Sequence, residues 1–500
     1  MKKRKILFLI GIAFIFLLIG TKSSPLYKIN DWYDAECFFT MGKSMMIGKV
    51  PYLNLFEQKG PLLFLIYGIA SIISTNSFIG VFILEVISYT IFLYYIDKII
   101  TLYIDEKYSY ILLPILSLLI LSSRSFTHGG SCEEFCFPIL AITLYHFLNY
   151  LKNDSISNRN TILIGIMSGL ILWTKYTLLG LNIGFCIVLL INEITKKNYK
   201  ELLTKIGYFL LGILITTIPW LIYFGLHKNG IKSLIDTYFL FNITSYADDI
   251  SILQKLINCF HTVNGVLIKY YQYIILIIIP MILSIKTKVF FKNTKNNIYL
   301  LLVTLLLLNL LFIGGTNFRY YSLPIQPFMI FGLIYIFYLL SQTEINKFLK
   351  KNILLISVIT TSICLIASYY RSPNTEYLKK EKSYYAQYTF LNYIKPNTTL
   401  LNYNFLDGGF YFTTKTYPTE YYFQKNNIKY HLFPQNINSQ RKYVKEKRTD
   451  YVVTTNKISK KDLKILNENY KLIASHKQKY EGHLKTYYLY ENLLIKINSY

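Results

Sequence analysis

The sequence predicts an α-helical polytopic membrane protein of about eleven transmembrane helices with a small C-terminal extracytoplasmic α/β domain. Three observations predict it. Apolar residues gather into runs of about 17–25, enough to cross roughly 30 Å of hydrocarbon. Basic residues concentrate in alternate loops between those runs. Residues 370–500 are different in kind: polar, rich in Tyr, Asn and Lys, with short alternating stretches.

Composition bounds the class. Of 500 residues, 53% are hydrophobic, and Lys+Arg outnumber Asp+Glu by 53 to 27. A net charge of +26 in a soluble chain would suggest nucleic acid. Here much of the excess lies in short loops between apolar runs, so anionic lipid is the simpler partner and nucleic acid is excluded. The six cysteines form no CxxC pair and read as small buried hydrophobes. A disulfide from Cys37 to Cys132 or Cys136 is the alternative. The start, Met1-Lys-Lys-Arg-Lys before an apolar run, reads as a retained signal-anchor span with its basic end inside.

The spans fall near 5–22, 77–99, 109–124, 135–151, 161–177, 179–194, 206–226, 263–285, 297–313, 322–341 and 352–369. With the N-terminus in the cytoplasm, the loops 100–108, 152–160, 195–205, 286–296 and 342–351 lie inside. They carry Lys107; Lys152 and Arg159; Lys196, Lys197, Lys200 and Lys205; Lys286, Lys288, Lys292 and Lys295; Lys347, Lys350 and Lys351. The opposite loops near 125–134, 178–180 and 314–321 hold only Arg319. This asymmetry supports the orientation in a plasma (inner) membrane, and an odd number of spans sends the tail outside. The domains are therefore 1–369, membrane-embedded, and 370–500, extracytoplasmic. Strand patterns at Tyr451-Val-Val-Thr-Thr and Lys485-Thr-Tyr-Tyr-Leu-Tyr, with helical patterns near 381–394 and 459–470, give the tail its α/β character. Its basic excess, 22 to 10, suits an anionic envelope polymer or lipid headgroups, or is simply a solvated surface.

The first outer loop, residues 23–76, is the most informative stretch. It contains Asp31, Asp34 and Glu36 within six residues. Asp34 falls where a helix can begin, and Phe38, Met41 and Met45 follow as an apolar stripe suited to a membrane interface. Residues 61–75 are apolar but short, so an interfacial or re-entrant segment is expected. A carboxylate held at a membrane surface suits a general base that takes a proton from an acceptor hydroxyl. Asp34 is favoured over its two neighbours; a helix-capping role is the plainer reading.

The second cluster is His128-Gly129-Gly130-Ser-Cys-Glu133-Glu134, between spans three and four. Adjacent acids at the mouth of a span are costly unless solvated, paired or coordinating. With Asp34 they are candidate catalytic residues, and Asp34, Glu134 and His128 are candidate ligands for a divalent metal ion. The third cluster is cationic: Lys59, Lys175 and Arg319, the last in Asn317-Phe-Arg319-Tyr320. Such cations suit a lipid-phosphate leaving group, or are snorkelling side chains.

At these residues the chain resembles the GT-C superfamily of integral-membrane glycosyltransferases, especially bacterial relatives of protein mannosyltransferases and of the aminoarabinose transferase. The resemblance rests on Asp34, Phe38, Gly48, Pro51-Tyr52 and Lys59-Gly60-Pro61-Leu62, with Gly60 where the family has a Pro. It rests also on Glu133 or Glu134 after the third span, and on Tyr320-Tyr321-Ser-Leu-Pro324 opening a late one. The resemblance implies an inverting hexosyl or pentosyl transfer from a polyprenyl-phosphate sugar to a glycan, lipid or protein acceptor of the envelope. Asp34 would be the base, Tyr320 would join the phosphate-binding set, and a divalent ion would be the one cofactor allowed. A flippase or transporter of lipid-linked saccharide is the alternative, but transporters tend to show repeat symmetry and broken helices near the midplane. A non-catalytic envelope-assembly protein leaves the loop acids without a role.

Overall fold

The computed structural model describes residues 2–244, 251–314 and 318–493. Residues 315–317, including the Asn317 that opens the late outer motif, lie outside the described residues. The chain divides into two compact units, each built from three separate stretches. One comprises Met1–Thr21, Ile83–Ile222 and Ile250–Thr375, the other Lys22–Phe82, Tyr223–Asp249 and Glu376–Tyr500.

In the first unit, long apolar helices dominate. All eleven expected spans have helical counterparts. Among the described residues, seven helical runs are long and apolar enough to cross a membrane, and the expected span 263–285 is a pair, Leu253–Lys269 and Ile274–Thr287, bent by 93° as a broken span or a re-entrant loop. The difference from eleven has identifiable causes. Lys2–Gly20 begins with four basic residues. Ser109–Leu121, with Pro114 inside it, has 13 residues, about 20 Å at the helical rise and short of a full crossing. The run Asn158–Thr195, counted once, is two helices. Lys175 is extended at φ −160°, ψ 95°, and Asn182 donates to Ser168 at 2.8 Å. Residues fourteen apart on one straight helix would be about 21 Å apart. The chain therefore folds back at Lys175, and Gly180–Thr195 returns antiparallel to Asn158–Lys175.

The outward faces of these helices are apolar. Leu210, Leu214, Ile218 and Ile222 are exposed on Tyr199–Gly225, as are Leu354, Val358, Ile363 and Ile366 on Ile353–Arg371. Backbone groups paired within helices and apolar side chains turned outward are what hydrocarbon demands. The polar loops gather into two sets. Asp105 pairs with Lys350 at 3.0 Å, and Lys152 donates to the Leu102 carbonyl. Separately, Ser125 meets Ser322 at 2.8 Å and Lys175 pairs with Glu133.

The second unit contains the α/β fold expected of the tail. Its strands are β1 (Leu400–Asn402), β2 (Tyr451–Thr455), β3 (Tyr470–Tyr480) and β4 (His483–Asn492), in the order β1-β2-β4-β3. The β1–β2 pair is parallel and the others antiparallel. Leu401, Val444, Val452, Leu466 and Tyr490 form its core beneath the helices Pro434–Lys445 and Lys460–Asn469. The expected helix at 381–394 is only a series of short turns. The Gln478 side chain takes the Ala386 N–H at 2.9 Å, and the Tyr384 hydroxyl reaches the Lys479 carbonyl. Contacts to β3 thus replace helical hydrogen bonds there.

The first loop packs within this same unit. Phe56 donates its N–H to the Tyr421 carbonyl, and the Tyr421 hydroxyl returns to the Tyr52 carbonyl, each at 3.0 Å. The helix Tyr33–Met46 crosses Pro61–Ile73 closely. A side chain on Gly42 would collide with the backbone of Gly68 and Phe64. Phe38 and Met41, expected at a membrane interface, are instead 2% and 1% exposed, with Phe38 edge-on to Tyr67 of the second helix. Pro61–Ile73 has 13 residues, buries Leu63, Phe64 and Tyr67, and exposes Ile69, Ile72 and Ile73. All six cysteines are free thiols. Five are buried, in keeping with their reading as small apolar groups.

Gly42→Leu is expected to cost at least about 2 kcal/mol through overpacking, read as a lowered Tm of the full chain in detergent. An unchanged Tm would contradict the close crossing.

Candidate functional site

The loop 125–134 is built by its own sequence. Thr127, Gly129 and Gly130 all have positive φ, at 47°, 84° and 77°, a backbone that glycine adopts without strain. This turns the Gly130 N–H onto Glu134 Oε2 at 2.8 Å. Ser131 caps the short helix Cys132–Phe135 by accepting the Glu134 N–H at 3.0 Å. The spacing Ser131-x-x-Glu134 is that of a capping box, with the glutamate reaching one residue further back than usual.

Both acids of the doublet are buried, at 1% and 2% exposure. For Glu133 the expectation that the doublet be solvated, paired or coordinating resolves toward pairing. Glu133 forms an ion pair with Lys175. Lys175 also lies over the Tyr321 ring at 3.7 Å and faces the Tyr320 ring at 5.8 Å, which adds a cation–π term. Tyr320 stacks on Phe318. These tyrosines belong to a 3₁₀ segment, Arg319–Met329, whose Pro324 and Pro327 cannot donate to an α-helical ladder. Arg319 itself is exposed and His128 is buried.

One member of this cluster escaped the sequence reading. Glu85, on Ile79–Thr101, is 0% exposed and accepts the Thr21 hydroxyl at 2.9 Å. Its carboxyl lies beside that of Glu134. An acid in the middle of the apolar run 77–99 was the signal that could have found it.

In the second unit the three loop acids separate. Asp31 is sealed in an ion pair with Lys22 at 2.7 Å, both side chains 1% exposed, and Lys22 lies over the Tyr377 ring. Glu36 is fully buried, with neither carboxyl oxygen hydrogen-bonded among the described residues. Burial, with Asp407 and Asp31 nearby, pushes its pKa well above the usual carboxylate range. Gly409, at φ 83°, leaves just enough room beside it. Asp34 is the one of the three that is partly exposed. It is the second residue of Tyr33–Met46, whose N-cap is Trp32, so it is not the helix cap. It lies in the first turn, where the helix dipole favours a carboxylate.

Around them runs a buried polar network that sequence did not single out. Asp407 accepts from Thr40 at 2.6 Å and from Asn402 and the Gly409 N–H at 3.0 Å. Burial nevertheless raises its pKa to about 6. Glu57 accepts from Gln424 and Asn426 at 2.9 and 3.3 Å, and burial raises its pKa too. Lys43 donates to the carbonyls of Tyr411 and Thr416, and burial lowers its pKa to about 8. Gln424, Asn426 and Asp407 lie hundreds of residues from the loop they serve, and no local spacing marks them. Lys59 is half-buried, and the Tyr52 hydroxyl donates to its carbonyl. Asp34 and Lys59 thus belong to one unit; Glu133, Glu134, Lys175, Arg319 and Tyr320 belong to the other. Among the described residues, no three His, Cys, Asp or Glu side chains converge to hold a metal ion.

Removing one partner of the buried Glu133–Lys175 pair strands a charge. Glu133→Gln or Lys175→Met alone is expected to cost about 3–5 kcal/mol, with the double variant recovering most of it. Additive losses in thermal unfolding would contradict the pairing. A second expectation concerns pH. Asp407 holds its proton to about pH 6 when folded, against an ordinary value of 3.8. The folded chain therefore binds more protons between those values, and this group's contribution falls by on the order of 3 kcal/mol as pH rises through them. The Tm of wild type relative to Asp407→Asn should fall from pH 4 to pH 7; a rising difference contradicts it.

Comparison with known proteins places this arrangement. Residues 58–223 match the family described as dolichyl-phosphate-mannose-protein mannosyltransferase. Among solved structures the chain is similar to ArnT from Cupriavidus metallidurans, both bound to undecaprenyl phosphate and in the apo state. Each comparison covers 98% of both chains at 10% identity, with a TM-score of 0.59. No curated protein sequence matches the chain. The chain therefore shares the fold of the ArnT structures, as the sequence resemblance implied.

Proposed function

We propose that the chain is an inverting glycosyltransferase that moves a hexose or pentose from a polyprenyl-phosphate donor to a glycan, lipid or protein acceptor of the envelope. It acts at the outer face of the plasma (inner) membrane, with the N-terminus cytoplasmic and the polar domain extracytoplasmic. One observation carries the reading beyond fold likeness: of the three acids opening the first loop helix, Asp34 alone is partly exposed, while Asp31 is neutralised and Glu36 sealed. A general base must reach its proton, and the other two have no such access.

The step balances simply. The acceptor hydroxyl oxygen bonds to the anomeric carbon, and its proton passes to the Asp34 carboxylate. The bond from that carbon to the phosphate oxygen breaks, and the electron pair leaves with the phosphate. Lys59 is the proposed phosphate-binding residue of the unit that holds Asp34, and Arg319, Lys175 and Tyr320 are those proposed in the other unit. Lys175 is already held by Glu133 and Tyr321, so phosphate would compete with Glu133 for it. Glu133 and Glu134 act in this reading by holding Lys175 and the 125–134 loop. A divalent ion is a separate proposal, tested by chelation, and no step here passes through it.

Asp34→Asn should abolish transfer from a polyprenyl-phosphate sugar while leaving expression and membrane insertion intact. Wild-type turnover by that variant would sink the assignment of the base. Lys59→Ala and Arg319→Ala should raise donor KM or lower kcat by about tenfold each, the worth of one charge-assisted hydrogen bond. Unchanged donor kinetics in both would remove the phosphate site. Cysteine-accessibility labelling of positions 34, 134 and 320 tests the orientation, and labelling only from the cytoplasmic side overturns it.

A further inference from the structure

At the lysine-rich end of the first unit, three loops from different hairpins enclose a cavity of about 520 Å³. Its walls include Lys152, Lys288 and Lys292, with Asn296, Tyr103 and Phe291. No acidic residue is among the described residues that line it. A neighbouring cavity of about 410 Å³ shares Tyr103 but contains both Lys350 and Asp105, which pair at 3.0 Å and cancel. Only the first cavity therefore carries an uncompensated positive charge.

The larger cavity is also built rather than a gap between floppy side chains. Lys152 is tethered to the Leu102 carbonyl at 3.1 Å, and Asn296 to the Leu151 carbonyl at 2.5 Å. Lys288 adopts a left-handed backbone that ends the helix Ile279–Thr287, and its ammonium meets the Thr294 hydroxyl. Phe290 and Phe291 turn inward and are 5% and 4% exposed, packing with Tyr103. The Tyr103 hydroxyl is buried and has no hydrogen-bond partner among the described residues. Thr294 begins the 18-residue helix Thr294–Leu311, whose first N–H groups add positive potential at the same mouth.

Three lysines with no lining acid and an aromatic floor beside lipid-facing helices fit one kind of ligand. We propose that this cavity binds the phosphodiester headgroup of an anionic phospholipid, with the phosphate on Lys152, Lys288 and Lys292 and the glycerol backbone against Tyr103 and Phe291. The site lies among the loops whose basic residues mark the cytoplasmic end of the spans, where anionic lipid is the abundant polyanion. Its volume is in the range that suits such a headgroup. The site lies among a different set of loops from the Glu133–Lys175 cluster and does not depend on the proposed transfer reaction.

The full chain in nanodiscs tests it, by native mass spectrometry of retained lipid with phosphatidylglycerol and phosphatidylcholine as probes. Wild type should retain phosphatidylglycerol selectively. Lys152→Gln/Lys288→Gln/Lys292→Gln should lose about a hundredfold of that preference, from the worth of three lysines at an anionic surface. Tyr103→Phe should lose a smaller part. Lys347→Gln/Lys351→Gln, on the same end but outside the cavity, should keep the wild-type preference. Equal losses in the two lysine sets would overturn the proposal in favour of diffuse surface charge. Full displacement of the lipid by millimolar inorganic phosphate would overturn it in favour of a free-anion site. Selective retention by the triple variant would overturn it outright.

Discussion

The Lys175–Glu133 ion pair shows the constraint on which the rest of the polar architecture depends. At the mouth of an apolar helix bundle, bulk water cannot be counted on to solvate a carboxylate. Each buried acid must find a cation, a donor or a proton of its own. Glu133 finds Lys175, and Lys175 in turn rests on Tyr321. Glu134 finds the Gly130 N–H, which requires two consecutive glycines in a left-handed backbone. The shape of the 125–134 loop follows from satisfying these two side chains.

The same constraint sorts the acids of the first loop helix. Asp31 is matched by Lys22 and Asp407 by three donors, whereas Glu36 has neither and is pushed toward its neutral form. What distinguishes Asp34 is its partial exposure. A catalytic base is often the group that the structural chemistry leaves with access to its proton. Sequence proximity made the three acids look equivalent; burial and partners make them different. The cost of this arrangement is a set of buried ionisable groups, Glu36, Asp407, Glu57 and Lys43, whose preferred protonation states differ from those in water.

Helix length and charge bias were legible because they are local properties of the chain. Apolar runs had to become helices, since no other open structure pairs its backbone groups in hydrocarbon. The C-terminal strands were legible from alternation at Tyr451–Thr455 and near Lys485. The helix expected at 381–394 failed because Gln478, far along the chain, takes a backbone donor that the helix would have used. The interfacial reading of Phe38 and Met41 failed for a similar reason: their partners are on Pro61–Ile73, and a periodic apolar stripe does not say what covers it.

The sequence by itself determined that this is a multi-spanning helical protein with a polar α/β tail, and it located the loops that hold the candidate acids and cations. Those conclusions need only the spacing of apolar and charged residues along one chain. The tertiary structure decided which acid is sealed, which is paired and which is accessible. It also brought Glu85 beside Glu134, and Gln424 and Asn426 onto Glu57. These pairings join residues tens to hundreds of positions apart. Desolvation and hydrogen bonding depend on distance in space, and a carboxylate's chemistry is set by whatever the fold places around it.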